Sequence, residues 1–463
     1  MKSKEAQKTI SNAFEGIIGV STKIITPEVG IYTRNWGAGD SQYSQGVHRP
    51  LELNCLTLQE REDSAPTIII SADLGWWKTP DEEAYIRAGV RKYFNIEAPN
   101  LMFCLSHTHS GPSLSLADAQ KKGGEFIAPY LAFLLEAIIS AIQLALDTSF
   151  LGRLDWRYGS CDLATNRDFY WDEGKRHLTG FNPEIAGDDT LLVGRVTDLK
   201  HRVKFLIVNY ACHPTTLAWD NHLISPDYIG ALREVIRDHV GVELMFLQGA
   251  SGDQSPAVQY VGDPNVADNY GKQLGYAVLS TVYKFNDASK ALAFQGSVES
   301  GASLAIWGFT DVAISTSLTP QLIYVELPVR DLPSEVELQS LWAKSSDSVE
   351  KERLWRKIGL RRILGEKDRF ELPVWVWKVG ETIIVGQCTE AYVHFQKHLR
   401  AAFFPKPVVV INIVNGYIGY LPTEELYQSD AYSVWQTPFE AGSLEILETG
   451  VVEAIAKLDN NES

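Results

Sequence analysis

At 463 residues with 45% hydrophobic side chains, the chain can bury a sizeable core, in one large domain or in two to three average ones. Its 42 basic and 58 acidic residues leave a formal charge of −16, which opposes binding to phosphate backbones and anionic bilayers and sets nucleic acid aside as a partner. Five cysteines (Cys55, Cys104, Cys161, Cys212, Cys388) are odd in number and form no Cys-x-x-Cys pair, which disfavours a disulfide framework or a thiolate zinc site.

The chain starts on polar residues 1–8, without the apolar run and small-residue cleavage site of a secretory signal. With the cysteine usage, this leads to the expectation of a reducing, cytoplasmic compartment. A short apolar run predicts a strand over 67–71, followed by a helical pattern over 80–93 and a second strand over 100–105. That strand leads into Leu105-Ser106-His107-Thr108-His109-Ser110-Gly111-Pro112. On a continuing strand His107 and His109 would share one face, converge on one ion or reacting group, and mark a metal-centred site where a rigid strand meets a turn.

The greasiest stretch falls in a helical pattern over 126–147. There Glu136, Ser140, Gln143 and Asp147 recur at helical spacing and draw one polar stripe, the mark of a core helix and not of a transmembrane segment. A strand over 204–210 ends at a third imidazole, in Ala211-Cys212-His213-Pro214-Thr215-Thr216, repeating the placement of His107. Two strand-end histidines supply two nitrogen ligands and leave an oxygen donor and a water to complete a catalytic zinc shell, although either histidine alone is compatible with a satisfied core position.

Ser225-Pro226-Asp227 reads as a helix start before 228–240. The strand over 243–247 then runs into the small-residue loop Gly249-Ala250-Ser251-Gly252-Asp253-Gln254-Ser255-Pro256, which lacks the Gly-x-Ser-x-Gly of a serine hydrolase elbow. Segment 335–369 is charged and helical, with Lys351, Arg353, Arg356, Lys357, Arg361 and Arg362 clustered. Of two readings, a lid or substrate-facing insertion and a solvated helix face, the second is favoured. Further strands are expected at 382–385 and 408–413, and the polar tail 456–463 is expected to fray. Alternating strands and helices predict an α/β architecture of mixed β-sheets flanked by helices, in a single domain spanning 1–463.

Taken together, the separated segments resemble the neutral ceramidase family, zinc-dependent amide hydrolases also called neutral/alkaline non-lysosomal ceramidases. The likeness runs in order through Gly19 to Thr26, Gly46-Val47-His48, Ala72-Asp73-Leu74-Gly75, the His-Thr-His-Ser-Gly-Pro segment, Asn166-Arg167, His213-Pro214-Thr215-Thr216 with Asn221 to Asp227, and Gly252-Asp253-Gln254-Ser255-Pro256. The resemblance implies zinc held by His107, His213, Glu390 of Gly386-Gln387-Cys388-Thr389-Glu390, and Tyr420 of Asn415-Gly416-Tyr417-Ile418-Gly419-Tyr420. It further implies His109 as proton donor or oxyanion partner, Arg167 as stabiliser of the oxyanion or substrate carbonyl, and Ser255 as a positioning group in preference to a nucleophile. Zinc would lower the pKa of a bound water from about 15.7 toward 7.

Ser113-Leu114, Ala257 and Phe439 depart from the family pattern and are expected to reshape the pocket mouth. The chain ends soon after Gly442-Ser443, so the C-terminal β-sandwich of secreted ceramidases is expected to be absent. The expected function is hydrolysis of a carbon–nitrogen amide bond in a small-molecule or lipid-like N-acyl substrate. The alternatives are an ester or lactone hydrolase on the same metal, or an inactive binding homologue. Trp36, Trp76, Trp77 and Trp219 lie near these motifs and either line a pocket or pack in the core.

Overall fold

Alternating burial organises the chain into two facing sheets with helices outside. The computed structural model describes residues 11–39 and 42–460; the polar start, 1–8, lies outside them. The larger sheet has eight strands in the spatial order Glu243–Gln248, Val203–Tyr210, Thr190–Asp198, Phe150–Ser160, Phe14–Ile24, Glu52–Gln59, Thr67–Ala72, Leu101–Leu105. Its outermost pair at either edge is parallel and the pairs between are antiparallel. The second sheet orders Leu318–Pro328, Arg369–Val379, Thr382–Gln387 and Val408–Ile411.

Strands buried on both faces read as unbroken apolar runs, which is why they were recognisable. Within Leu101–Leu105, Met102 and Cys104 face the interior shared by the two sheets, while Leu101, Phe103 and Leu105 face the helices. In Val203–Tyr210, Phe205 and Ile207 point inward and Leu206, Val208 and Tyr210 outward. Trp375 and Trp377 supply the bulk of the opposing sheet's inner face.

Three helical layers cover the outer faces. Ile127–Asp147 and Pro80–Phe94 pack over Leu53, Ile68 and Phe103. Tyr228–Val240 and Pro264–Val282 cover Leu206, Val208 and Phe246. Val393–Ala402 and Ser443–Asn460 cover the second sheet. The Ile127–Asp147 helix is apolar and long enough to cross a bilayer, yet Leu131, Leu134 and Ile138 lie on the sheet and all four residues of its predicted polar stripe are exposed.

Several expectations change. The tail is helical through Asn460, because Leu447, Val451, Ile455 and Leu458 anchor it to the second sheet; residues 461–463 lie outside the described residues. Segment 335–369 forms two helices, Glu335–Lys344 and Ser348–Leu364, before the strand at Arg369. The second helix buries Ile358, Leu360 and Leu364 and is not merely a solvated face. All five cysteines are buried and free. Leu114 and Phe439 are core residues and Ser113 Oγ is bonded to Asp118, so these three departures do not shape a pocket mouth.

Candidate metal centre

Four loops that follow strands converge on one buried cluster. The strand Leu101–Leu105 ends two residues before His107, whose φ of 69° turns the chain sharply. His107 and His109 therefore do not share a strand face, as their spacing suggested. They converge because a left-handed residue kinks the loop, bringing their ring centroids to 4.9 Å. Such a conformation in a residue with a Cβ costs on the order of 1–3 kcal/mol and persists only where surroundings enforce it. Here the backbone N–H of His107 donates to Leu74 O and Thr108 Oγ1 donates to Ser225 O.

His107 and His213 are each fixed from behind. His107 Nδ1 lies 3.0 Å from Gly75 O and His213 Nδ1 lies 2.7 Å from Ser251 O. A carbonyl only accepts, so both rings carry their proton on Nδ1 and present a lone pair at Nε2. Those lone pairs face a carboxylate: His213 Nε2 is 2.8 Å and His107 Nε2 3.4 Å from Glu390 Oε2. Three electron-rich atoms at this separation repel unless a cation or a proton lies among them. Burial, then the charge of Arg167, lowers the His213 pKa to about 4. Burial would raise Glu390, but the His107 and His213 rings outweigh it and hold the carboxyl well below its usual range. Two ring nitrogens and a carboxylate oxygen gathered at these distances are a donor set that binds a cation, so these residues fit a metal ion.

Glu390 and Tyr420 are register partners in a short parallel pair, which sets them side by side. Tyr417 donates to Glu390 Oε1 at 2.7 Å, leaving Oε2 to the histidines. Arg167 donates through Nε and Nη2 to Gly252 O and through Nη2 to Tyr420 Oη at 3.0 Å. Gly252 is required here, since a Cβ would come within 2.6 Å of Glu390 O. Asp253 ties the same loop to Asn166 and to the Val393 backbone.

His109 differs from the other two histidines. Both its ring nitrogens are buried without a hydrogen-bond partner among the described residues, and the ring lies between Trp36 at 4.8 Å and Trp76 at 5.0 Å. Burial, then the neighbouring His107 and His213, holds its pKa well below the ordinary value, so it is a neutral, free imidazole. The ligand atoms of His107, His109 and His213 fall within 4.8 Å of one another. These three histidines form a group that could hold a metal ion, and Glu390 Oε2 adds an oxygen 2.8 Å from His213 Nε2 and 3.4 Å from His107 Nε2.

Beside the cluster is a cavity of about 340 Å³, lined by His107, His109, Arg167, Glu390, Tyr417 and Tyr420 and by the aromatic rings of Trp36, Trp76, Trp219, Tyr260, Tyr432 and Trp435. Trp77 instead packs against Phe103 in the core. A larger cavity of about 820 Å³ includes none of the three clustered histidines, so its size does not bear on the chemistry. Ser255 does not line the smaller cavity either: its Oγ accepts from Gln259 Nε2, and Gln259 Oε1 accepts from Thr215, which does. Tyr417 lines the site without having been given a role from the sequence, and the Ser348–Leu364 helix, whose substrate-facing reading was the less favoured one, reaches the cavity through Glu352, Arg353 and Arg356. Tyr417 had a signal in the repeated tyrosine of Asn415 to Tyr420, while the helix had only its run of charge.

No protein-family model and no curated protein matches the chain. The architecture is nevertheless that of the neutral ceramidases, a neutral-ceramidase-like α/β fold. The crystal structure of neutral ceramidase from Pseudomonas aeruginosa aligns over 95% of this chain and 74% of its own, with a TM-score of 0.64 and 18% identity. A ceramidase complexed with C2 aligns over 97% of this chain and 76% of its own, with a TM-score of 0.65 and 18% identity.

Proposed function

We propose that the protein is a zinc-dependent hydrolase that cleaves the amide bond of an N-acyl substrate in the 340 Å³ cavity. The observation carrying this reading is the pair of imidazole lone pairs facing the Glu390 carboxylate beside a cavity with a free imidazole. His107, His213 and Glu390 would hold the ion, with Tyr420 adjacent. When bound, zinc supplies a Lewis acid and lowers the pKa of water in its shell.

The chain's own groups supply the rest. Arg167, locked against Gly252 O, places positive charge where a carbonyl oxygen would gain electrons; its Nη1 is not engaged among the described residues. His109 accepts a proton at an unpartnered ring nitrogen and returns it to the departing amine nitrogen. Tyr417 and Tyr420 keep Glu390 oriented. Ser255 acts as a positioning group through Gln259 and Thr215. The aromatic walls exclude water and suit an apolar acyl chain.

An ester or lactone substrate would use the same groups, because the metal shell does not dictate the leaving group. Product analysis on acyl-matched amides and esters separates the two: release of free amine as the favoured reaction supports the proposal, and preference for esters throughout overturns it. A purely binding role is disfavoured by the presence together of His107, His109, Arg167, His213 and Glu390, a set that binding alone does not need.

A further inference from the structure

The cavity that holds the histidines is roofed by cations. Arg353 and Arg356, from the Ser348–Leu364 helix, both line it. Arg356 is oriented by hydrogen bonds from Nε to Glu352 and from Nη1 to the Tyr432 hydroxyl, and its guanidinium lies 5.5 Å from the Trp76 ring centroid. Arg353 has no carboxylate partner among the described residues; its guanidinium lies 5.3 Å over Trp435, and Lys357 approaches the same ring at 4.6 Å. Burial, then the charges of Arg330 and Arg353, lowers the Lys357 pKa, which marks a group of like charges held close together. In a chain of net charge −16, this cationic cluster has Glu352 as its one ion-pair partner on the helix among the described residues.

Arg353 is exposed where it lines the cavity and has no carboxylate among the described residues, while Arg356 has Glu352 alone; arginine so placed suits a carboxylate through its planar array of donors. The position constrains that anion. Arg356 lies against Trp76, whose ring is 5.0 Å from His109, so one aromatic ring separates the guanidinium from the candidate proton carrier. A charged group there belongs to the molecule whose amide faces the histidines.

Resting on the reading of His107, His213 and Glu390 as the hydrolytic centre, we infer that the substrate is a small N-acyl compound bearing a carboxylate, which Arg353 and Arg356 bind from the roof of the cavity. The carboxylate comes from the amine side, as in an N-acyl amino acid, or from the acyl side, as in a dicarboxylic acid monoamide. A neutral sphingolipid amide offers Arg353 and Arg356 no anion.

The test compares N-lauroylglycine with N-lauroylethanolamine, and N-benzylglutaramic acid with N-benzylbutyramide, on the zinc-loaded protein. The preferred pair identifies the side that carries the carboxylate. At least about a tenfold higher kcat/KM for one acid over its neutral partner is expected, the scale of one hydrogen bond to a charged group. Arg353→Gln and Arg356→Gln should each bring that ratio toward one through KM, and Arg353→Lys should keep most of it. Equal turnover of acid and neutral amide, or a preference unmoved by both glutamine variants, overturns the inference. Calorimetric binding of the two acids is measured in parallel. If no amide is cleaved, the hydrolase reading fails, and binding alone decides this one: uptake of an acid lost in both glutamine variants supports the anion site, while absent or unaltered uptake overturns it.

Discussion

The central division of labour is between imidazoles that look alike in the sequence. His107 and His213 each have Nδ1 tied to a backbone carbonyl and Nε2 turned toward Glu390, whereas both nitrogens of His109 are without partners among the described residues. His107→Ala and His213→Ala should each lose zinc and activity together, checked by metal analysis and turnover. Zinc retained in either variant would contradict the ligand assignment. His109→Ala should keep its zinc and lose roughly 10²–10⁴-fold in kcat, the range of a positioned acid–base group. The sequence marked these histidines because each follows an apolar strand and precedes a turn. It did not reveal the kink at His107, which depends on contacts with Leu74 and Ser225, or the hydrogen bond of Tyr417, which depends on where Glu390 falls in the fold.

At the scale of elements, buried polar links hold the loops in register. Asp73, just after the strand Thr67–Ala72 and two residues before the carbonyl that orients His107, pairs with the fully buried Arg233 of the Tyr228–Val240 helix, with Nη2 3.0 Å from Oδ1. Asp73 Oδ2 also accepts from the Glu52 backbone. Removing one member leaves an uncompensated buried charge. Arg233→Ala should therefore destabilise the fold by about 3–5 kcal/mol, measurable by denaturant unfolding, with Asp73→Asn in the same direction. A loss under about 1 kcal/mol for Arg233→Ala would mean the pair is not what holds this junction.

The elements buried on both faces were legible from their apolar runs: 67–71, 204–210 and 243–247 match observed strands to within a residue or two. The long strands Phe14–Ile24 and Phe150–Ser160 were not, since polar and glycine positions interrupt their pattern. The Ser348–Leu364 helix was anticipated, but its charged residues looked like a solvated face. Composition alone does not distinguish guanidinium groups facing water from those facing a cavity.

At the scale of the molecule, the proposed ligands join both sheets: His107 and His213 follow strands of the larger, and Glu390 follows Thr382–Gln387 of the smaller. An ion shared among them links segments far apart in sequence and binds the folded chain alone. Chelation should therefore lower Tm, and zinc at about 100 times its Kd should restore about 2.7 kcal/mol, followed by thermal unfolding with and without metal. An unchanged Tm would show that the cluster binds no ion. The layered fold was readable in outline as mixed sheets with flanking helices, because apolar strand runs alternate with helical patterns along the sequence, whereas the pairing of the two sheets depends on contacts no local pattern encodes.

The most direct test is zinc content measured together with amine release from an N-acyl substrate, after purification with zinc supplied. The prediction is about one zinc per chain with amide turnover, as for a single catalytic site, and joint loss of both in His213→Ala. Less than about half an equivalent of zinc in the wild-type protein, or amide turnover that persists in His213→Ala, would contradict it.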